Sequence, residues 1–216
     1  KFLIEAVENQ NINSDGIILD DNVFTTLAFV NLTKDGERSF AFARKPGADT
    51  MIGYKEADTE LLQNTKVFHV GSLSLTDEPA RSTTFQAVKY AKNAGAVISY
   101  DPNYRAPLWN NEKTAIERMR SMLPFADMIK LSDEETALLT PYENPDEAAN
   151  YLLDHGIKIV AVTLGKEGVL ICNRKDHQKV SGFSSQVVDT TGAGDSFWGG
   201  FMSQFVKSKL NPEDCS

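Results

Sequence analysis

A three-layer α/β fold with a mostly parallel sheet is predicted by three features of this 216-residue sequence. From about residue 66 onward, short apolar runs rich in β-branched residues alternate with helix-length amphipathic segments. That order is the pattern of parallel strands joined by crossover helices on both faces. Each strand-like run ends in a polar cluster, as expected where a ligand crevice lies outside the carboxyl ends of the strands. Near the end, Asp189-Thr190-Thr191-Gly192-Ala193-Gly194-Asp195-Ser196-Phe197 opens an apolar helix-like segment running toward Leu210. The length suits one domain over residues 1–216, with a small antiparallel appendage within about 15–45.

The elements follow in order. Phe2 to Val7 reads as a helix already under way. Thr25 to Leu32 is strand-like, Asp35-Gly36 marks a tight turn, and Arg38 to Ala43 alternates as a half-buried strand, which together predict a hairpin. Val67-Phe68-His69-Val70 is a short buried strand, with His69 assigned a core or strand-end role. Glu78-Pro79 starts a helix with Phe85, Val88 and Ala91 on one face, and Asn93-Ala94-Gly95 ends it. Ala96 to Tyr100 is the next strand, Ile116, Met119 and Leu123 mark a helix, and Asp127 to Leu131 is a third strand. Helices over Glu134–Leu139 and Pro145–His155 precede a fourth strand, Lys158 to Leu164. Lys166-Glu167-Gly168 then turns into Val169-Leu170-Ile171, and Val187-Val188 precedes the glycine-containing segment.

Composition excludes several classes. Hydrophobic residues are 41% and charged residues 24%, ordinary for a globular protein, and the net charge of −8 with no basic run argues against nucleic acid as a partner. No apolar stretch is long enough to span a bilayer, so no membrane partner is expected. Cys172 and Cys215 fit no metal spacing and suit a reducing compartment, the cytoplasm.

Gly192 and Gly194, two residues apart, let backbone N–H groups turn toward one point, and the helix start behind them adds its positive end. This is an anion site suited to phosphate. A carboxylate at the same point, Asp195, makes chemical sense if it takes a proton from an attacking hydroxyl. The segment therefore predicts phosphoryl transfer to an alcohol. Rival motifs fail on residues: no G-x-x-x-x-G-K-[ST] string occurs, Phe197 stands where a dinucleotide fingerprint needs its third glycine, and no G-x-S-x-G elbow is present.

The other polar clusters have bland readings too. Asp101-Pro102-Asn103 could be a simple turn, while Arg105 is a natural partner for phosphate or hydroxyl groups. Ser132 with Glu135 fits a capping box as well as a metal role. Trp198 and Phe201 read as core.

Asp189 to Phe201 resembles the C-terminal signature of the ribokinase-like, PfkB-type carbohydrate kinases. Asp101-Pro102-Asn103-Tyr104-Arg105, Lys130 to Glu135 and Val162 to Gly168 stand in that family's order, and Phe42 to Asp49 with Phe68 to Leu75 resemble its bacterial fructokinase branch. The resemblance implies a ribokinase-like fold with a β lid and ATP-dependent phosphorylation of a sugar hydroxyl, with fructose the first substrate and 2-keto-3-deoxygluconate or ribose the alternatives. A non-catalytic nucleotide- or sugar-binding module is the reading from another class. The family resemblance implies Asp195 as catalytic base and Gly192, Ala193 and Gly194 as the anion hole. Thr163, Gly165 and Gly168 would lie near the nucleotide, and Asn103, Arg105 and Arg44 near the sugar and its phosphate. Glu135 would be linked to magnesium, although Ser132 replaces the asparagine of the family's motif. Asp189 and Thr191 would lie at a monovalent cation, potassium. The lid implies a homodimer formed through it. The family's N-terminal glycine-rich sugar motif would precede Lys1, and its last helices would follow Ser216, so a chain truncated at both ends is expected.

Overall fold

The computed structural model describes residues 2–32, 38–184, 186 and 189–212. The Asp35-Gly36 turn, Val187-Val188 and Cys215 lie outside the described residues. Helix α1 (Phe2–Glu8) leads to a two-stranded antiparallel ribbon, β1 (Leu27–Leu32) and β2 (Arg38–Ala43), in which Leu27 faces Ala43 and Leu32 faces Arg38. Two short helices follow, α2 (Ala48–Met51) and α3 (Thr59–Asn64). The main body then runs β3 (Val67–Gly71), α4 (Ala80–Asn93), β4 (Val97–Asp101), α5 (Glu112–Met122), β5 (Met128–Ser132), α6 (Thr136–Leu139), α7 (Pro145–Asp154), β6 (Ile159–Thr163), β7 (Val169–Cys172), β8 (His177–Val180) and α8 (Ala193–Lys207).

One sheet has the order β3-β4-β5-β6-β7-β8. The first four strands are parallel and the last two antiparallel, as a hairpin and an added edge strand. The edge strand β8 was not expected from the sequence. Its residues are all exposed and carry no apolar alternation, which is the only local signal a strand has.

Alternation along the strands sorts the core into two layers. On one face Ile98, Tyr100, Ile129, Leu131, Val160 and Val162 join a cluster with Val88 and Ala91 of α4, Met119 of α5 and Leu152 of α7. On the other, Met128, Ile159, Ala161 and Val169 join Trp198 and Phe205 of α8. Each fully buried aliphatic side chain contributes about 1.5–3 kcal/mol, so these two layers fix where the strand ends stand. The helix starts are set locally. Asn111 accepts from Thr114 N–H at 2.8 Å to cap α5, and Asn144 accepts from the Asp146 and Glu147 N–H groups ahead of Pro145 in α7. Each such cap contributes about 1 kcal/mol.

No helix among the described residues is long and apolar enough to cross a membrane. Cys172 is a buried free thiol, and burial, with Asp146 and Asp176 nearby, pushes its pKa up to about 12.

Candidate active site

The strand ends are level along the carboxyl edge of the sheet. Gly71 is in register with Asp101, and Ser132 with Thr163, so their loops open on the same side. A cleft of about 760 Å³ lies there, bordered by Asn103, Arg105, Glu135, Thr163, Gly165, Gly192, Gly194 and Asp195. A smaller cavity of about 240 Å³ adjoins it, lined by Asp49, His69, Gly71, Asp101, Asn103 and Asp195 among others. Asn103 and Asp195 line both spaces. The sequence-predicted loops are thus brought together, with Asp195 at the junction.

The glycine-rich turn starts α8. Gly192 is its N-cap, at φ 74°, and Ser196 N–H closes the first helical bond to the Gly192 carbonyl at 2.8 Å. The Ala193 N–H differs from expectation. It donates back to the Thr190 carbonyl at 3.1 Å, so this turn leaves the N–H groups of Gly194 and Asp195 as the ones without an intrahelical acceptor. Asp189 Oδ1 accepts from Thr191 N–H at 2.7 Å, holding the two residues named for a monovalent cation side by side.

Glu135 is buried at the cleft wall and both of its oxygens are held by main chain. Oε2 accepts from Ser132 N–H at 2.9 Å, closing the predicted capping box, and Oε1 accepts from Tyr104 N–H at 2.6 Å. The second bond clamps the Asp101–Arg105 loop to the start of α6. Arg105 projects over the Phe40 ring of β2 with 5.9 Å from guanidinium carbon to centroid, joining the ribbon to the cleft.

Four predicted residues, Arg44, Gly168, Asp189 and Ala193, border neither space. Arg44 lines neither space. Its guanidinium is buried and engaged by Asp49 at 2.5 Å, Thr76 Oγ1 at 2.7 Å and the Leu73 carbonyl at 2.7 Å. It fixes Asp49, which does line the smaller cavity. The reason is geometric: Arg44 closes the ribbon onto the turn after β3, and all of its reach is used there. Gly168 also lies outside both spaces. Its φ of 106° and the 2.0 Å from an added Cβ to the Val180 carbonyl show that glycine is required by the close approach of β8.

Sequence reasoning missed His69 and Lys130. The His69 ring lines the small cavity, partly buried, with Nδ1 2.9 Å from Ser99 Oγ, which also accepts from Trp198 Nε1–H at 2.8 Å. Burial of the ring holds its pKa below the usual value, with the Asp195 charge opposing and that of Lys130 reinforcing the shift. Lys130 lies inside an apolar central strand and pairs with Asp101 at 2.7 Å. A lysine in such a run was itself the signal, because a buried charge requires a partner.

A mostly parallel, mixed sheet with a small antiparallel ribbon and a glycine-rich helix start at its carboxyl edge defines a ribokinase-like α/β protein. It superposes on the fructokinase of Vibrio cholerae O395 in its fructose-, ADP- and calcium-bound form with a TM-score of 0.85 at 33% identity, over 93% of this chain and 65% of that one. The ATP-bound fructokinase of Xylella fastidiosa gives a TM-score of 0.87 at 33% identity, over 95% and 64% of the two chains. The pfkB family of carbohydrate kinases matches residues 1–215, and the chain belongs to that family. In sequence it is 42% identical over 202 residues to probable fructokinase-5 of Arabidopsis thaliana, covering 93% of this chain and 62% of that protein. It is also 42% identical over 214 residues to fructokinase-2 of Solanum lycopersicum, covering 99% and 65%. The chain therefore spans less than two thirds of these relatives' length.

Proposed function

We propose that the chain carries the phosphoryl-transfer site of an ATP-dependent sugar kinase acting on fructose. The observation that carries this reading is the position of Asp195, shared by a large polar cleft and a small cavity at the start of α8. The large cleft suits a nucleotide and the small one a monosaccharide. In the reaction a sugar hydroxyl oxygen bonds to the γ-phosphorus while the bond from that phosphorus to the β-bridging oxygen breaks. ADP leaves and the hydroxyl proton passes to the Asp195 carboxylate. The N–H groups of Gly194 and Asp195, with Gly192 and Ala193 shaping the turn, face the charge that develops on the phosphoryl oxygens. Thr163 and Gly165 border the nucleotide side, and Asn103 and Arg105 the side where phosphate meets sugar.

Magnesium suits Glu135, because a magnesium ion in such sites takes one or two carboxylates and completes its shell with phosphates and water. Both Glu135 oxygens accept a main-chain N–H and the carboxylate is fixed at the cleft wall. When bound, the ion supplies charge neutralisation on the phosphates. Asp189 and Thr191 offer oxygen ligands for potassium beside the same turn. This reading takes residues 1–216 as part of one domain whose lid includes β1 and β2, in a cytoplasmic enzyme. One relative of Arabidopsis thaliana is named chloroplastic.

An ADP-release assay on the complete polypeptide with a panel of sugars tests the reading. Release with fructose, and little with ribose or 2-keto-3-deoxygluconate, is expected. Release with another sugar alone would move the substrate, and ATP binding without release on any sugar would favour a non-catalytic module. The lid supports a homodimer as well, since Leu27, Phe29 and Val30 of β1 are 51%, 57% and 49% exposed. Sedimentation velocity on the complete polypeptide should give twice the monomer mass, and a monomer at micromolar concentration would refute pairing through the lid.

A further inference from the structure

Lys130 lies in the middle strands of the sheet, where the register pairs Tyr100 with Ile129 and so brings Asp101 beside it on the α8 face. The two side chains are 8% and 5% exposed, and Nζ donates to Asp101 Oδ2 at 2.7 Å. The other oxygen, Oδ1, is buried without a partner. Burial pushes the Asp101 carboxyl pKa up, with the Lys130 charge opposing. A buried ion pair of this kind is a weak source of stability, since apolar residues of similar volume often do as well or better. Its place in the fold gives it another use.

The ammonium is packed directly beneath the turn that carries Asp195. A Cβ added at Gly194 would stand 3.0 Å from Lys130 Nζ and 3.3 Å from Cε. A side chain at position 194 would press on the end of the lysine side chain, so the ammonium and the first turn of α8 are in close contact. Lys130 borders the large cleft, Asp101 the small cavity, and Asp195 both. Along the same face, Ser99 receives Trp198 Nε1–H at 2.8 Å, which fixes α8 one residue below Gly199. The helix thus meets the sheet through the Trp198–Ser99 hydrogen bond and through the packing of Gly194 on Lys130, and Lys130 borders the same cleft as Asp195.

We propose that Lys130, held by Asp101, is a positioning residue that sets the height and angle of the Gly194–Asp195 turn for phosphoryl transfer. This rests on the kinase reading above. A misplacement of about 1 Å in such a site can lower turnover on the order of 10²-fold without touching the chemistry itself.

The test compares K130M, D101N and the double variant K130M/D101N in the complete polypeptide. The double variant removes both charges at nearly constant volume and keeps the fold measurable where K130M alone strands Asp101. The double variant is expected to melt within a few degrees of wild type and to keep its KM for ATP within about threefold, with turnover reduced on the order of 10²-fold. Its [15N]glycine spectrum should show the Gly194 amide displaced while glycines distant from α8 stay in place. Turnover within threefold of wild type would overturn the proposal. So would a joint collapse of melting temperature and KM, which would mark the pair as structural only. The amide signal separates this inference from the kinase reading. An unmoved Gly194 amide overturns the positioning role whether or not the wild type turns over, whereas a wild type inactive on every sugar removes the kinase reading alone.

Discussion

Replacing Asp195 with Asn is expected to lower turnover by about 10²–10⁴-fold while nucleotide affinity is retained. The amide matches the carboxylate in shape but cannot accept the hydroxyl proton. On the proposed reading the nucleotide phosphates meet main-chain N–H groups at the start of α8, and those groups survive the change. His69 is the rival base, because its ring shares the small cavity and burial lowers its pKa. It borders the small cavity and not the large cleft, whereas Asp195 borders both. Steady-state ADP release with an ATP-binding titration decides between them. D195N at near-normal turnover, with H69Q impaired instead, would transfer the role to the histidine.

The second large effect is expected on stability. Trp198 is 1% exposed, stacks on Phe201 at 4.9 Å between centroids and donates to Ser99 at 2.8 Å. It is the largest buried side chain on the α8 face of the sheet. Trp198→Ala should cost about 3–5 kcal/mol, a large part of a domain's whole stability. Trp198→Phe keeps most of the apolar area and loses the hydrogen bond, so about 0.5–1.5 kcal/mol is expected. Urea unfolding of both variants measures this. A W198A midpoint equal to wild type would show that α8 is not part of the cooperative core. Turnover should fall with W198A as well, because the same helix carries Asp195 three residues earlier.

Most of the element order was legible because each element carries its own period. The helix from Glu78-Pro79 to Asn93 is found as α4, Ala80–Asn93, and the runs at Val67, Val97, Met128 and Ile159 are strands β3 to β6. The capping box at Ser132 and Glu135 was also readable, since its partners are three residues apart. Arg44 and Gly168 were assigned ligand contacts by their place in motifs. In the structure Arg44 pairs with Asp49, and Gly168 lies against the β8 backbone.

The sequence alone determined the α/β order, the helix start at Gly192 to Asp195 and the resemblance to carbohydrate kinases. These depend on residues close along the chain, where spacing fixes geometry. Only the tertiary structure decided that Asp195 lies between two cavities, that Arg44 anchors Asp49, and that Lys130 stands under Gly194. Lys130 and Asp101 are 29 residues apart and become neighbours through strand pairing. Their contact follows from sheet register, a property of two strands together that neither strand's own pattern contains.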